Sequence, residues 1–473
     1  MRAGICGRSM SRRVDGGKSG GMDEKGLVAR YAGRLPRYTS YPTAPNFTEA
    51  VTGETYLEWL GALAEGASLS LYLHVPFCDR LCLYCGCTTQ VVRQDAPRRA
   101  YAKELGRELC LVAGAIGRRA AVSHIHWGGG TPSTLPADCL VAIMDLIRTL
   151  FAVESGAEVA IELDPTAVPE DRMAALPRMG ITRASLGVQD FDAAVQKAIG
   201  REQSYEETAA CAEGLRKIGV RSLNLDLMYG LPHQTEESVA RTAREVLGLE
   251  ADRLAVFGYA HVPWMKRHQA LLPEAALPGP EARFGQRGAV DRVLCEEGGY
   301  RAVGLDHYAR PGDAMALAAA DGRLGRGFQG YTTDRAEVLI GIGASAIGSL
   351  PQGYVQNAAV TPAWLKAIRA GRPATVRGVA LTEEDRLRRD VIERIMCELA
   401  ADLPALAAAH EAEAGPLLAA AAPLAGFAED GLVRWDGRRL KVTEKGRPFV
   451  RNVAALFDAY LARGEGVRHS LAV

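Results

Sequence analysis

The chain has 473 residues, 48% hydrophobic and 24% charged, and its 56 Lys and Arg balance 56 Asp and Glu. That balance excludes a partner held mainly by net charge, such as generic duplex DNA or an anionic membrane surface. No apolar run reaches the roughly eighteen residues of a membrane span, and no apolar stretch at the start leads to a small-residue cleavage site, so a cytoplasmic protein is expected.

In chain order, residues 1–33 are expected to be a disordered extension. Residues 1–21 are rich in Gly, Ser and Arg without periodic apolar positions, and Met22 is an alternative start. Residues 34–68 read as a segment that closes over the active site. Within it Leu35–Phe47 carries three prolines and must run extended. From residue 69 to 372 a repeated strand–helix pattern holds. Six short apolar runs (68–75, 122–127, 157–163, 183–188, 222–228 and 253–260) alternate with helical stretches (99–117, 138–151, 169–180, 204–219 and 235–249). Ser204-x-x-Glu207 is a capping box at the start of the fourth helix. The pattern predicts an α/β fold, a partial (β/α)6 TIM-type barrel of parallel strands with right-handed crossovers. Residues 300–309 are a candidate seventh strand extending it. Residues 373–473 change character. A helix over 382–400 capped by Thr382, Ala- and Leu-rich helical material, a hairpin around Asp436-Gly437 and a last helix over 451–462 predict a helical, winged-helix-like domain. Its hairpin is basic but its helices alternate in sign, so a packing or lid role is preferred to nucleic-acid binding.

Chemistry in parallel α/β sheets collects beyond the carboxyl ends of the strands. Unusual residues fall there one after another: His74 and the cysteines after the first strand, Gly128-Gly129-Gly130-Thr131-Pro132 after the second, Glu162 at the third. Gln189, Asp226 and Ala260 follow at the fourth to sixth. Four of the ten cysteines, Cys78, Cys82, Cys85 and Cys87, lie within ten residues. A disulfide framework is not expected in such a chain. Cys78-x3-Cys82-x2-Cys85 offers three thiolates from one loop, enough for three irons of a [4Fe–4S] cube with the fourth iron left open. A structural zinc is the competing reading, but zinc sites usually pair knuckles from separate loops, and Cys85-x-Cys87 is too tight for one.

The run YLHVPFCDRLCLYCGC resembles the signature of radical S-adenosylmethionine (SAM) enzymes. PRYTSYPTAPNF, HWGGGTPS, IELDP, SLGVQDFD, LDLMYGLPHQT, GLDHYARP, GFQGYTT and TEKGRPFVRN together resemble the oxygen-independent coproporphyrinogen III oxidase family, in matching order from about Arg34 to Tyr460. The resemblance implies an oxidoreductase in which Cys78, Cys82 and Cys85 ligate a [4Fe–4S] cluster whose open iron binds SAM. It implies two SAM molecules. Tyr72, Gly129 and Glu162 would contact one, and Gly130, Thr131, Gln189, Arg201, Asp226 and Ala260 the other, with Ile347 near the reaction centre. Tyr84 would pack on adenine and His74 would donate toward the cluster or its ligand. Catalytic roles fall to Cys87, a proton or hydrogen donor, and to Tyr72, Glu162 and Gln329. Arg310, Arg326 and Gln329 are candidates for the substrate carboxylates. The implied reaction converts two propionates of coproporphyrinogen III to vinyls through 5′-deoxyadenosyl radicals, giving protoporphyrinogen IX in haem biosynthesis. An electron donor such as a flavodoxin or ferredoxin, a monomeric state, and no membrane or nucleic-acid partner complete the expectation. The alternative is a haem chaperone, or a haem-modifying radical SAM enzyme, with the same fold. Haem-chaperone relatives generally lack the TSYPT segment and Cys87, both of which are present here.

Overall fold

A computed structural model describes residues 23–461. Strands Leu69–Val75 (β1), Ala121–Gly129 (β2), Ala152–Leu163 (β3), Arg183–Gln189 (β4), Ser222–Tyr229 (β5) and Arg253–Gly258 (β6) pair in sequence order, all parallel. The helices between them, Asp95–Ile116, Ala137–Leu150, Glu170–Met179, Tyr205–Lys217 and Glu236–Leu247, supply the crossovers. The capping box forms as expected: Ser204 Oγ accepts the Glu207 N–H at 3.1 Å and the Glu207 carboxylate accepts the Ser204 N–H at 2.8 Å.

Strand periodicity separates core from lumen. Successive side chains on a strand face opposite ways. On β4, Ala184, Leu186 and Val188 are buried in the main hydrophobic core while Ser185, Gly187 and Gln189 take the other face. On β5, Leu223, Leu225 and Leu227 are in that core, and Asn224, Asp226 and Met228 are opposite. Parallel pairing sets Tyr72 beside His126, Glu162 beside Ser185, and Gly187 beside Asp226. The polar residues of five strands therefore share one concave face. A shift of one residue in β5 would trade Leu225 for Asp226.

The candidate seventh strand is corrected. Residues 300–309 do not extend the parallel set. They form two short antiparallel strands, Arg301–Val303 (β7) and His307–Ala309 (β8), with β8 against β6. The sheet instead gains a parallel strand on its other side: Val338–Ile342 (β9) pairs with β1, and Ile347–Leu350 (β10), Gly353–Asn357 (β11) and Thr375–Ala380 (β12) follow antiparallel. Strands β12 and β7 end the strand order, so the part-barrel reading holds. At the β1–β9 seam the buried Tyr101 hydroxyl donates to the His74 carbonyl at 2.8 Å and accepts the Ala344 N–H at 2.9 Å. Tyr101→Phe strands both buried groups and is expected to cost about 2 kcal/mol, read as a lower denaturant midpoint with unchanged slope.

A second core holds the C-terminal helices. Thr382 caps Glu383–Glu398 as expected, and the hairpin Val433–Trp435/Arg439–Val442 turns at Gly437, where φ is +89°. The last helix is shorter than expected, Val450–Ala455, with Ala462 outside the described residues. Part of the expected disordered extension is helical: Glu24–Tyr31 buries Leu27, Val28 and Tyr31 against this second core, and Tyr31 donates to Asp430 at 2.6 Å. Three apolar residues four or fewer apart make a helix stable only with a partner surface. The remainder of that expectation, residues 1–22, lies outside the described residues.

Candidate active site

Beyond the carboxyl ends of the strands lies a cavity of about 660 Å³. Cys78, Cys82, Cys85 and Cys87 line it, as do Tyr84, Gly129, Gly130, Thr131, Glu162, Gln189, Arg201, Asp226 and Ala260. The cysteine loop leaves β1 at Pro76 and is tied down at intervals. Gly130 N–H donates to the Val75 carbonyl at 2.8 Å, Thr131 N–H to Phe77 at 2.7 Å, and Leu83 N–H to Ile199 at 2.9 Å. The glycines are sterically required. A Cβ on Gly130 would fall 2.5 Å from the Phe77 carbonyl and 3.0 Å from Cys78 Sγ. On Gly129, whose φ is +113°, it would fall 2.6 Å from the His74 ring.

The thiols sit among donors. Thr131 Oγ1 lies 3.7 Å from Cys78 Sγ, and Arg201 Nη1 3.6 Å from Cys82 Sγ. Burial pushes the Cys78 thiol up to about 11, whereas the hydrogen bond from Cys87 pulls Cys85 below the ordinary thiol range. Cys87 is raised by that same bond and by burial. Among the described residues no three metal-ligating side chains converge closely enough to share one ion. The three cysteines all line the cavity.

The two lumen carboxylates differ. Glu162 accepts His126 Nε2 at 3.0 Å and the Gly129 N–H at 3.1 Å. Burial would raise its carboxyl, but His126 and the Gly129 N–H hold it below the usual carboxylate range. Asp226 accepts Ser185 Oγ at 3.0 Å and Asn224 Nδ2 at 2.8 Å, and burial together with the Glu162 charge pushes it up to about 6. At neutral pH Glu162 is a fixed negative charge and Asp226 a group close to its titration, a pair whose surroundings drive the two apart.

Several expected residues sit elsewhere. His74 and Tyr72 lie behind the cavity wall, not in its lining. His74 Nε2 is 3.1 Å from the Thr88 carbonyl, which can only accept, so this nitrogen carries the proton and Nδ1 accepts the Tyr72 hydroxyl at 3.2 Å. His74 thus holds the far end of the cysteine loop and donates to no thiol. Arg201 is not an open fork. Its donors go to Gly187 O (2.7 Å), Asp164 (3.2 Å) and Gln203 (3.1 Å), besides Cys82. Ile347 packs with Phe47, Tyr354 and Leu381, because β10 points it into that apolar cluster. Gln329 lines a smaller cavity of about 150 Å³ that shares Glu162, Ser185, Asp226 and Phe257 with the main one. Arg310 is misplaced by the sequence reading. It donates to the Ala251 carbonyl at 3.0 Å and stacks on Tyr300, at the amino end of β6 and so opposite the cysteines. Arg326 is buried beneath residues 37–38.

Sequence reasoning missed His126, the partner of Glu162, whose period-two spacing from Gly128 would have placed it in the lumen. It also missed residues 266–269. Lys266 Nζ donates to Cys87 O at 2.8 Å, His268 Nε2 to Cys85 O at 2.7 Å and Gln269 Nε2 to Tyr84 O at 2.9 Å. No local pattern announces that loop.

Known proteins match in the same places. Residues 72–246 match the Radical SAM superfamily and residues 381–449 the HemN C-terminal domain. The chain is 52% identical over 440 residues to the oxygen-independent coproporphyrinogen III oxidase of Bradyrhizobium diazoefficiens, covering 93% of this chain and 97% of that one. With the enzyme of the same name from Paracoccus denitrificans it is 45% identical over 455 residues, 96% of this chain and 100% of the relative. Among solved structures, that of coproporphyrinogen III oxidase (HemN) from Escherichia coli, described as a radical SAM enzyme, superposes with a TM-score of 0.85 at 38% identity. The match covers 90% of this chain and all of that one. Membership of the radical SAM superfamily implies a [4Fe–4S] cluster and SAM. The chain belongs to the oxygen-independent coproporphyrinogen III oxidase family of radical SAM enzymes.

Proposed function

We propose that the chain catalyses the oxygen-independent oxidative decarboxylation of two propionate side chains of coproporphyrinogen III, giving the two vinyls of protoporphyrinogen IX. The observation that carries this is the single cavity that joins Cys78, Cys82 and Cys85 to Gly129, Gly130, Glu162 and Asp226, in a chain near full-length similarity to oxidases of that name. The residues fit the implied groups. Three thiols line one cavity, and the absence of a side chain at Gly130 lets the loop after β2 close on Cys78. Cys78, Cys82 and Cys85 would hold the cluster, and of two SAM molecules one would lie against Tyr72, Gly129 and Glu162 and the other against Gly130, Thr131, Gln189, Arg201, Asp226 and Ala260, with Tyr84 packing on adenine. When bound, these groups supply a 5′-deoxyadenosyl radical able to take a β-hydrogen from a propionate.

The chain's own side chains bind, orient and shield. Glu162, ionised and fixed by His126, can accept hydroxyl or ammonium donors of a ligand. Asp226, pushed up to about 6, can carry or release a proton near neutrality. Cys87 is exposed and lines the cavity, so its thiol is placed to give a proton or hydrogen. Tyr72 and His74 act from behind the wall, and Gln329 from the adjoining cavity. Leu35–Arg37 and Pro45 line the cavity, which supports a closing segment at residues 34–68, ahead of a catalytic part at 69–372 and a C-terminal part at 373–473. A one-electron donor of the flavodoxin or ferredoxin type, a monomeric state and a cytoplasmic setting belong to the same proposal. Among the described residues no helix is long and apolar enough to cross a membrane.

Oxygen-free protein should contain about four irons and four sulfides per chain and convert coproporphyrinogen III to protoporphyrinogen IX with SAM and a reductant. Haem binding without decarboxylation would replace this reading by the chaperone. Tyr84→Ala should keep the cluster yet bind SAM about 3- to 10-fold more weakly, the worth of one aromatic contact. Wild-type affinity in a SAM titration would reduce Tyr84 to packing.

A further inference from the structure

Five arginines and one carboxylate line a small cavity that adjoins the main one. Arg37 is exposed, and it lines both the main cavity and the small one, of about 30 Å³. Its Nη2 donates to the Gly258 carbonyl at 2.8 Å, where β6 ends. The small cavity is lined also by Arg283, Arg287, Arg326 and Arg451, with Asp306 as the one carboxylate in its lining. Asp306 is bonded to His307 at 2.8 Å and stands 3.9 Å from Arg326 Nη1. That Nη1 is buried and has no hydrogen-bond partner.

Part of this arrangement is structural. Arg326 donates to Tyr38 O at 3.2 Å and Arg37 O at 3.0 Å, and Arg451 to Pro36 O at 2.8 Å and to Leu35 O. Two arginines from distant parts of the chain thus hold four successive carbonyls of the closing segment. Arg37 is what they hold in position. Its guanidinium is the part of the cluster open to the main cavity, backed by Arg283 stacked on Tyr229 at 5.6 Å. Gathering like charges away from bulk water is costly, and burial and the neighbouring cations weaken proton holding on Arg37, Arg283 and Arg451. An anion at the open side relieves that cost, and a planar carboxylate matches the guanidinium fork.

We propose that Arg37 is a receptor for a carboxylate of the substrate at the cavity mouth, and that this carboxylate is one the product keeps. The second half follows from charge. A carboxylate becomes neutral CO2 when it is lost, so an arginine that stabilises its anion opposes the loss. Identifying the carboxylate as a propionate of a porphyrinogen rests on the function proposed above.

The test uses coproporphyrin III, an unreactive tetracarboxylate, and its tetramethyl ester, titrated by fluorescence against the cluster-loaded protein. The wild type should bind the acid at least about 10-fold more tightly than the ester, and Arg37→Gln should weaken acid binding about 10- to 100-fold while leaving the ester alone. Unchanged discrimination between acid and ester in R37Q overturns the proposal. Iron content and unfolding midpoint show whether R37Q is intact. If it does not fold, R37K decides, since it keeps a charge but loses the fork, and acid binding equal to wild type would then refute the receptor. Coproporphyrinogen turnover by the wild type is measured alongside. No turnover with acid preference intact sinks the decarboxylase reading alone, and turnover with binding indifferent to Arg37 sinks the receptor alone.

Discussion

Cys82→Ser is expected to give a folded protein that assembles no cluster and has no detectable turnover. Cys82 is the most deeply placed of the three thiols, 9% exposed, on a loop anchored by Leu83 N–H to Ile199. Its sulfur faces Arg201 Nη1, and a serine hydroxyl is a harder and less readily ionised donor than a thiol. The fold should survive, because one buried hydroxyl near a guanidinium costs about 1–2 kcal/mol or less. Circular dichroism and denaturant midpoint would check the fold, and iron and sulfide analysis the cluster. Normal iron content with normal turnover would remove Cys82 from the ligand set.

Gly130→Ala is the second large effect. The loop after β2 and the loop after β1 are joined by the Gly130 and Thr131 N–H groups, and an alanine methyl would press on the Phe77 carbonyl and on Cys78 Sγ. Backbone has to give, because the nearest atom is the Phe77 carbonyl oxygen. Overpacking of this kind costs about 1–3 kcal/mol. Moving the first cysteine by even about 1 Å should reduce activity by about 100-fold or more. Gly114→Ala is the matched control. It lies in the helix Asp95–Ile116 with nothing within 4 Å of the new methyl, and there alanine should stabilise by about 0.5–1 kcal/mol. Wild-type cluster loading and turnover in G130A would show that the two loops are not coupled as the structure has them.

The parts of the site legible in the sequence are those with a local spacing. Cys78-x3-Cys82-x2-Cys85 and the triple glycine do their work within a few residues of each other, and Glu162, Gln189 and Asp226 announce themselves as polar residues closing apolar strands. Arg201 stood out as a ligand contact, but Asp164, Gly187 and Gln203, which already engage its donors, meet it only in three dimensions. Arg310 failed because a motif gives a residue's neighbours along the chain and not the end of the sheet it reaches. Arg37 went the opposite way: it stood inside a recognised proline-rich segment, but only the fold puts it at the end of β6.

By itself the sequence determined the order of six strands and five helices, the face each strand turns inward, and the loop of thiols, because periods of 2 and 3.6 residues and cysteine spacing act over short distances. Only the tertiary structure decided which edge strands flank the parallel set, that Glu24–Tyr31 is a helix, and that arginines more than four hundred residues apart gather over one cavity. Those depend on which surfaces are left to be covered once the core has formed, and charge and hydrogen-bonding capacity carry no mark in the sequence of the partner they will meet.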